Sequence, residues 1–142
     1  MRKPLFALAA VVLIACDGLT EPILDFAHNR DKWERAHVTS YSFEFQRSCF
    51  CIPTERAWIT VSNGQVSSVI LIATGQPPDS SSAAFYDVTI DEFFDELGNA
   101  LAHASQVTVS YDQALGYPRT IAIDYIANAV DDEISYEVQL VP

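Results

Sequence analysis

The sequence predicts an α+β domain, an antiparallel β-sheet with two helices packed on one face, in the order α-β-β-β-α-β-β-β. Three observations predict it. Six short stretches alternate apolar and polar residues with a period of two, as strands with one buried and one wet face do. A strongly amphipathic segment opened by a helix-start signature at Thr89 separates the third stretch from the fourth. A weaker helical pattern precedes the first. Stacking both helices on one side of a single sheet is the economical way to bury all these apolar faces at once.

The elements follow in order. Thr20-Glu21-Pro22 reads as a helix start with Pro22 in the first turn. Ile23, Phe26, Arg30, Trp33 and His37 then keep helical spacing, but two of the five are charged or titratable. The spacing therefore predicts only a short helix over 29–37, with Trp33 buried. Tyr41, Phe43 and Phe45 share one face of a strand, and Ser42, Glu44 and Gln46 the other. Ala57, Ile59 and Val61 mark a second strand. Ser62-Asn63-Gly64 supplies a hairpin turn, because Asn and Gly tolerate positive φ, and a third strand runs over 65–73.

Residues 75–84 (Gly-Gln-Pro-Pro-Asp-Ser-Ser-Ser-Ala-Ala) read as a loop that divides the chain. In Thr89-Ile90-Asp91-Glu92, the Thr89 and Glu92 side chains can each serve the other's backbone amide, and Val88 and Phe93 sit at staple spacing. Ile90, Phe93, Phe94, Leu97, Leu101 and Ala104 form the apolar stripe of this helix. Gly98 costs it about 1 kcal/mol relative to Ala, which suggests close packing against the sheet. Three more strands follow, carried by Val107, Val109 and Tyr111, then by Ile121, Ile123 and Tyr125, then by Ile134, Tyr136, Val138 and Leu140.

The N-terminus has a different character. Arg2 and Lys3 precede an uncharged, apolar run from Leu5 to Ala15. That is a signal-peptide pattern and falls short of the roughly 20 residues of a transmembrane helix. The run ends in Leu13-Ile14-Ala15-Cys16, which resembles the bacterial lipobox. The resemblance implies diacylglycerol on the Cys16 thiol, cleavage after Ala15 and an acyl chain such as palmitate on the new amine. Several chains on one residue make a stable anchor where a single chain binds marginally. Asp17 resembles an inner-membrane retention residue of enteric-type bacteria, a rule other bacteria do not obey. The expected organisation is a cleaved lipoprotein signal peptide over 1–15, a membrane tether over 16–28 and a single α+β domain over 29–142.

Processing would leave roughly 127 residues, enough for one modest core. The 142-residue chain carries a formal charge of −11, which loss of Arg2 and Lys3 makes about −13. Such a surface repels nucleic acid and anionic headgroups. Beyond Cys16, only Cys49 and Cys51 remain, and an even pair in an oxidising compartment favours a disulfide. A disulfide spanning one residue closes a tight ring, which favours reduction. A structural staple is the leading reading; a redox couple or a thiolate site for a soft metal such as Cu(I) is the alternative. Thioredoxin-type chemistry would place two residues between the cysteines at a helix start.

Asp112, Asp124, Asp131, Asp132 and Glu133 fall at strand ends or in a loop. A solvated acidic edge is the simplest account, with Ca²⁺ binding or a cationic partner as alternatives; the spacing is not that of an EF-hand. His28, His37 and His103 lack the spacing of a helical zinc pair, and Ser80-Ser81-Ser82 lacks a nucleophile elbow. No metal or other cofactor is expected. Core or edge packing is the leading reading of Tyr111, Tyr117, Tyr125 and Tyr136; as the alternative, Tyr111, Asp112, Tyr117 and Asp124 are candidates for a binding surface, since aromatic patches suit partner recognition.

In order along the chain, Trp33, Tyr41, Cys49-x-Cys51, Asn63-Gly64, Tyr111-Asp112, Gly116-Tyr117-Pro118, Asp124 and Asp131-Asp132-Glu133 form a set. It resembles the small bacterial lipoprotein family catalogued as domain of unknown function 6174, over about residues 29–142. The resemblance implies no activity, substrate or catalytic residue. With no catalytic constellation present, the sequence favours a non-enzymatic, membrane-anchored envelope protein with a binding or structural domain and an envelope protein as possible partner. A redox or metal-handling role for Cys49 and Cys51 is the alternative. Inhibition of an extracytoplasmic enzyme is a weaker one, resting on fold analogy.

Overall fold

The computed structural model describes residues 20–51 and 54–141, so the signal peptide expected over 1–15 and the lipidation site at Cys16 lie outside the described residues. Helix α1 (Thr20–Ala36) leads into the meander β1 (Tyr41–Cys49), β2 (Ala57–Ser62) and β3 (Gln65–Leu71). Helix α2 (Ile90–His103) leads into a second meander, β4 (Gln106–Tyr111), β5 (Pro118–Asp124) and β6 (Glu133–Val141). The strands form one sheet in the order β3-β2-β1-β6-β5-β4, and every neighbouring pair is antiparallel. The element order repeats, but the halves join through the first strand of one and the last of the other. The predicted α+β class and order are those observed.

The alternation read from the sequence sets which face is covered. Phe43, Phe45, Ala57, Ile59, Val61, Ile121, Ile123, Tyr136 and Val138 are buried under the helices with Trp33, Phe93, Phe94 and Leu97. Aromatic rings carry much of this packing. Phe93 lies 5.7 Å from Phe45 and 5.3 Å from Tyr136 between ring centroids, pairs that contribute about 0.5–1.5 kcal/mol beyond their buried area.

Helix α2 starts as predicted. The Glu92 amide donates to Thr89 Oγ1 at 3.3 Å, and the Thr89 amide donates to Glu92 Oε2 at 2.7 Å. The Ile90 amide is taken up by the Tyr41 hydroxyl at 3.0 Å, which pins the helix start to β1. The Asn63-Gly64 turn adopts the expected positive φ at both residues, 52° and 75°.

Four expectations change. Helix α1 begins at Thr20 rather than near Asn29, so residues 20–28 of the expected tether are helical. The stripe looked weak because its stabilising contacts are tertiary: Phe26 packs on Phe94 (6.1 Å between centroids), and Trp33 Nε1 donates to Asp91 at 3.0 Å. Gly98 serves a helix–helix contact rather than the sheet, since a Cβ there would meet Phe26 Cζ at 3.3 Å. Strand β3 ends at Leu71, two residues early, where the Gly75 amide closes a turn onto the Leu71 carbonyl at 2.8 Å. Finally, the loop after β3 ends in a 3-10 turn (Ala83–Tyr86) that seats Tyr86 in the core, its hydroxyl donating to the Glu55 carbonyl at 3.0 Å.

Candidate functional site

The second face of the sheet carries no helix. Its outward positions are small where β1, β6, β5 and β4 run side by side. Ser48 pairs with Ser135, Ser135 with Ala122, and Ala122 with Thr108, so four short side chains lie at one level across four strands. One row along, Glu133, Asp124 and Gln106 are in register and form a wall. On the other side stand Gln46, Glu137, Thr120 and Ser110, also in register. Cys49 and Phe50 close the β1 end. The result is an open trough of about 510 Å³ with a hydroxyl-lined floor.

The two walls differ in charge. On the Glu137 side, Arg56 reaches across the sheet and donates to Glu44 at 2.7 Å, Glu137 at 2.6 Å and Gln46 at 3.0 Å. These bonds, first Glu44 and then Glu137, raise the Arg56 pKa further above its ordinary value. Arg56 is largely exposed, so the cluster adds little stability, and it lines a second depression on this face with Glu44 and Glu137. On the other wall, Asp124 and Glu133 face each other across β5 and β6. Asp124 Oδ1 is inaccessible to solvent and has no hydrogen-bond partner among the described residues. Two carboxylates side by side on this wall suit a ligand that brings N–H donors or positive charge.

The structure does not gather the four candidate binding-surface residues on one exposed face. Tyr117 is 2% exposed; its ring packs against Trp33, and its hydroxyl accepts from the Leu140 amide at 3.3 Å. Tyr111 stacks on Phe94 on the covered face. Burial pushes its hydroxyl pKa up. Asp112 caps the β4–β5 turn, its Oδ1 accepting from the amides of Ala114 at 2.9 Å and Leu115 at 2.8 Å. Only Asp124 reaches the trough, at the opposite end of the strand pair from Asp112. A tyrosine hydrophobic in body and polar at its tip reads as surface or core equally well in a sequence.

Cys49 and Cys51 stand at disulfide-bonding distance, with Cα atoms 5.2 Å apart, and Cys49 lines the rim of the trough. The acidic residues are dispersed: Asp112 serves its turn, and Asp132 Oδ2 accepts from the Ile126 amide at 2.6 Å. Among the described residues no group of three or more His, Cys, Asp or Glu side chains is placed to hold a metal ion. Glu96 gathers the hydroxyls of Tyr136 (2.9 Å) and Tyr125 (3.3 Å) beneath the covered face, and burial first, then this carboxylate, raises both tyrosine pKa values.

Sequence reasoning missed the trough and the Arg56 bridge. The available signal was the run of Ser, Thr and Ala at outward strand positions, which becomes a site only once strand order is known. No curated protein and no solved structure matches this chain. Residues 25–142 match the family described as family of unknown function DUF6174, and the chain belongs to that family.

Proposed function

We propose that the protein is a cell-envelope lipoprotein, anchored through acylated Cys16, whose domain binds a partner on the open face of its sheet. The trough floored by Ser48, Ser135, Ala122 and Thr108 is the observation that carries the binding reading. Short side chains let an extended segment approach the sheet closely, and Asp124 with Glu133 asks that segment for N–H donors or a cation. The partner class is an envelope protein or the cell wall, and the acidic charge disfavours nucleic acid. The anchor is supported by Leu13-Ile14-Ala15-Cys16 behind an uncharged run; no helix among the described residues is long and apolar enough to cross a membrane. No catalytic role is assigned to any residue.

The anchor is tested by intact mass of detergent-extracted protein: acyl mass on a chain beginning at Cys16 supports it, and an unacylated chain refutes it. The binding face is tested by a photo-crosslinking residue at Ser135 in living cells. Adducts that vanish with Ala122→Arg support the reading; monomer alone across growth conditions removes it.

A second reading rests on the Cys49–Cys51 pair at the trough rim. There the pair would exchange electrons with a dithiol partner, or as thiolates take Cu(I). Alkylation without reduction decides between them: blocked cysteines fit the staple or a redox couple, to be separated by potential, and two labelled thiols fit metal work. Cu(I) uptake unchanged by Cys49→Ser would end the metal version.

A further inference from the structure

Helix α1 runs against β1, so its N-terminus emerges at one end of the sheet. Lys32, near its C-terminus, donates to the Gln113 carbonyl in the β4–β5 turn. Leu24 and Asp25, two turns earlier, border Val107 and Val109 near the start of β4. The end of the sheet toward which α1 points back is the one where β1 finishes, β6 begins and the 125–132 loop lies.

That end carries most of the exposed large apolar side chains, while Trp58, 48% exposed, stands on the open face of β2. Phe50 is 78% exposed in the β1–β2 connection, Ile126 63% and Val130 83% in the β5–β6 loop, Leu24 68% and Ile23 49% on α1. Ile72 follows β3 at the same end. The opposite end holds the Asn63-Gly64 and Asp112–Gly116 turns, and Val141 is the one exposed large hydrophobic there among the described residues. Exposed hydrophobics scattered singly need no explanation; five or six collected at one end do.

We propose that this end is a membrane-docking surface, with Leu24, Phe50, Ile126 and Val130 set into the lipid headgroup region. The proposal rests on the acylation of Cys16. Thr20 is four residues on, and four residues cannot span more than about 14 Å. The start of α1 is thus held within that distance of the lipid surface. The occupant is therefore the bilayer the anchor stands in, which meets this end at no cost in translational freedom. Glu21, Asp25, Asp131 and Glu133 lie among the apolar residues. They favour zwitterionic headgroups, since anionic lipid repels them at low salt. So oriented, the trough opens sideways with its Phe50 end at the headgroup level and its Ser48, Ser135 and Thr108 floor above it.

The test uses the mature acylated protein in vesicles of phosphatidylcholine and phosphatidylethanolamine containing brominated acyl chains. In a Trp58→Phe background, tryptophan is placed by Leu24→Trp, Phe50→Trp, Val130→Trp and, as the far-end control, Val141→Trp, and each spectrum is read as its difference from the Trp58→Phe protein, which keeps the buried Trp33. The expected result is blue-shifted, quenched emission at the first three positions and none at Val141. Added phosphatidylglycerol should reduce the quenching at low salt, and salt should restore it. Floating, acylated protein with equal quenching at all four positions, or none, overturns the docking surface while the anchor stands. Protein that neither floats nor carries acyl mass overturns both. Near-end emission that shifts without quenching, together with a dimeric mass in detergent, assigns the surface to a second protein and overturns the lipid assignment.

Discussion

The two faces of the sheet obey opposite rules. On the covered face, Phe43, Phe45, Ile59 and Ile121 are at most 1% exposed, and aromatic rings interlock around Phe93. On the open face, Ser48, Ala122 and Thr108 are exposed and touch little beyond their neighbours in register. One strand thus carries two kinds of information at alternate positions. The covered positions hold stability; the open positions are released from it and available for recognition.

Substitutions sharpen this contrast. Phe93→Ala on the covered side removes a ring at the centre of the cluster and should lower unfolding stability by about 3–5 kcal/mol, measured by urea denaturation. A loss under 1 kcal/mol would mean that the rings do not hold the helix to the sheet. Gly116→Ala should cost about 2–4 kcal/mol. Gly116 has φ +81°, and a Cβ there would lie 2.5 Å from the Asn29 carbonyl oxygen of α1. A melting temperature equal to that of the parent protein would show that α1 can retreat without penalty.

High pH loosens the covered face from within. Burial raises the Tyr41 pKa to about 12, from an ordinary 10, with Asp91 and Glu92 adding to it against the Ile90 hydrogen bond. The folded state keeps the proton that the unfolded state releases, so stability is intact below pH 10 and falls as pH rises from 10 toward 12. Tyr111 and Tyr136 act in the same direction. Thermal midpoints across this window, followed with tyrosinate absorbance, should fall more steeply for the parent than for Tyr41→Phe; parallel curves would remove Tyr41 from the account. Thr89→Ala breaks the capping box and should cost about 1 kcal/mol, visible as reduced denaturant midpoint at unchanged slope. Smallest of all, Ala122→Arg on the open face should stay within about 0.5 kcal/mol while abolishing crosslinks from Ser135. If it unfolds the protein instead, the division of labour between the faces fails.

Local pattern made the strands and α2 readable. Tyr41, Phe43 and Phe45 alternate because the chain pleats, and Thr89 and Glu92 satisfy each other within four residues. The length of α1 was not readable in this way. Its first half is held by Phe26 against Phe94 and Gly98, some seventy residues away. The trough was hidden for the same reason: Ser48, Ser135, Ala122 and Thr108 are ordinary outward residues until four strands are brought into register. Sequence alone leaves Tyr117 open between core packing and a surface patch, because Gly116 and Pro118 mark a turn on either side of it. Its burial comes from Trp33 on α1, a contact no local window contains.

The junction between the halves governs when the fold can complete. Strand β1 is central, yet its longer partner is β6, the last strand of the chain, with eight paired residues from Ser42–Val141 to Cys49–Ile134. A chain emerging from its N-terminus can assemble β1, β2 and β3 early. One flank of β1 must then wait, as an open edge with unpaired amides and carbonyls, until some seventy further residues have followed. Such an order ties completion of the sheet to the arrival of the last strand. It leaves a period in which the half-built sheet can capture a strand from a neighbouring molecule. Truncation within β6 would make that period permanent, so a chain shortened there should be recovered as aggregate rather than as a smaller domain.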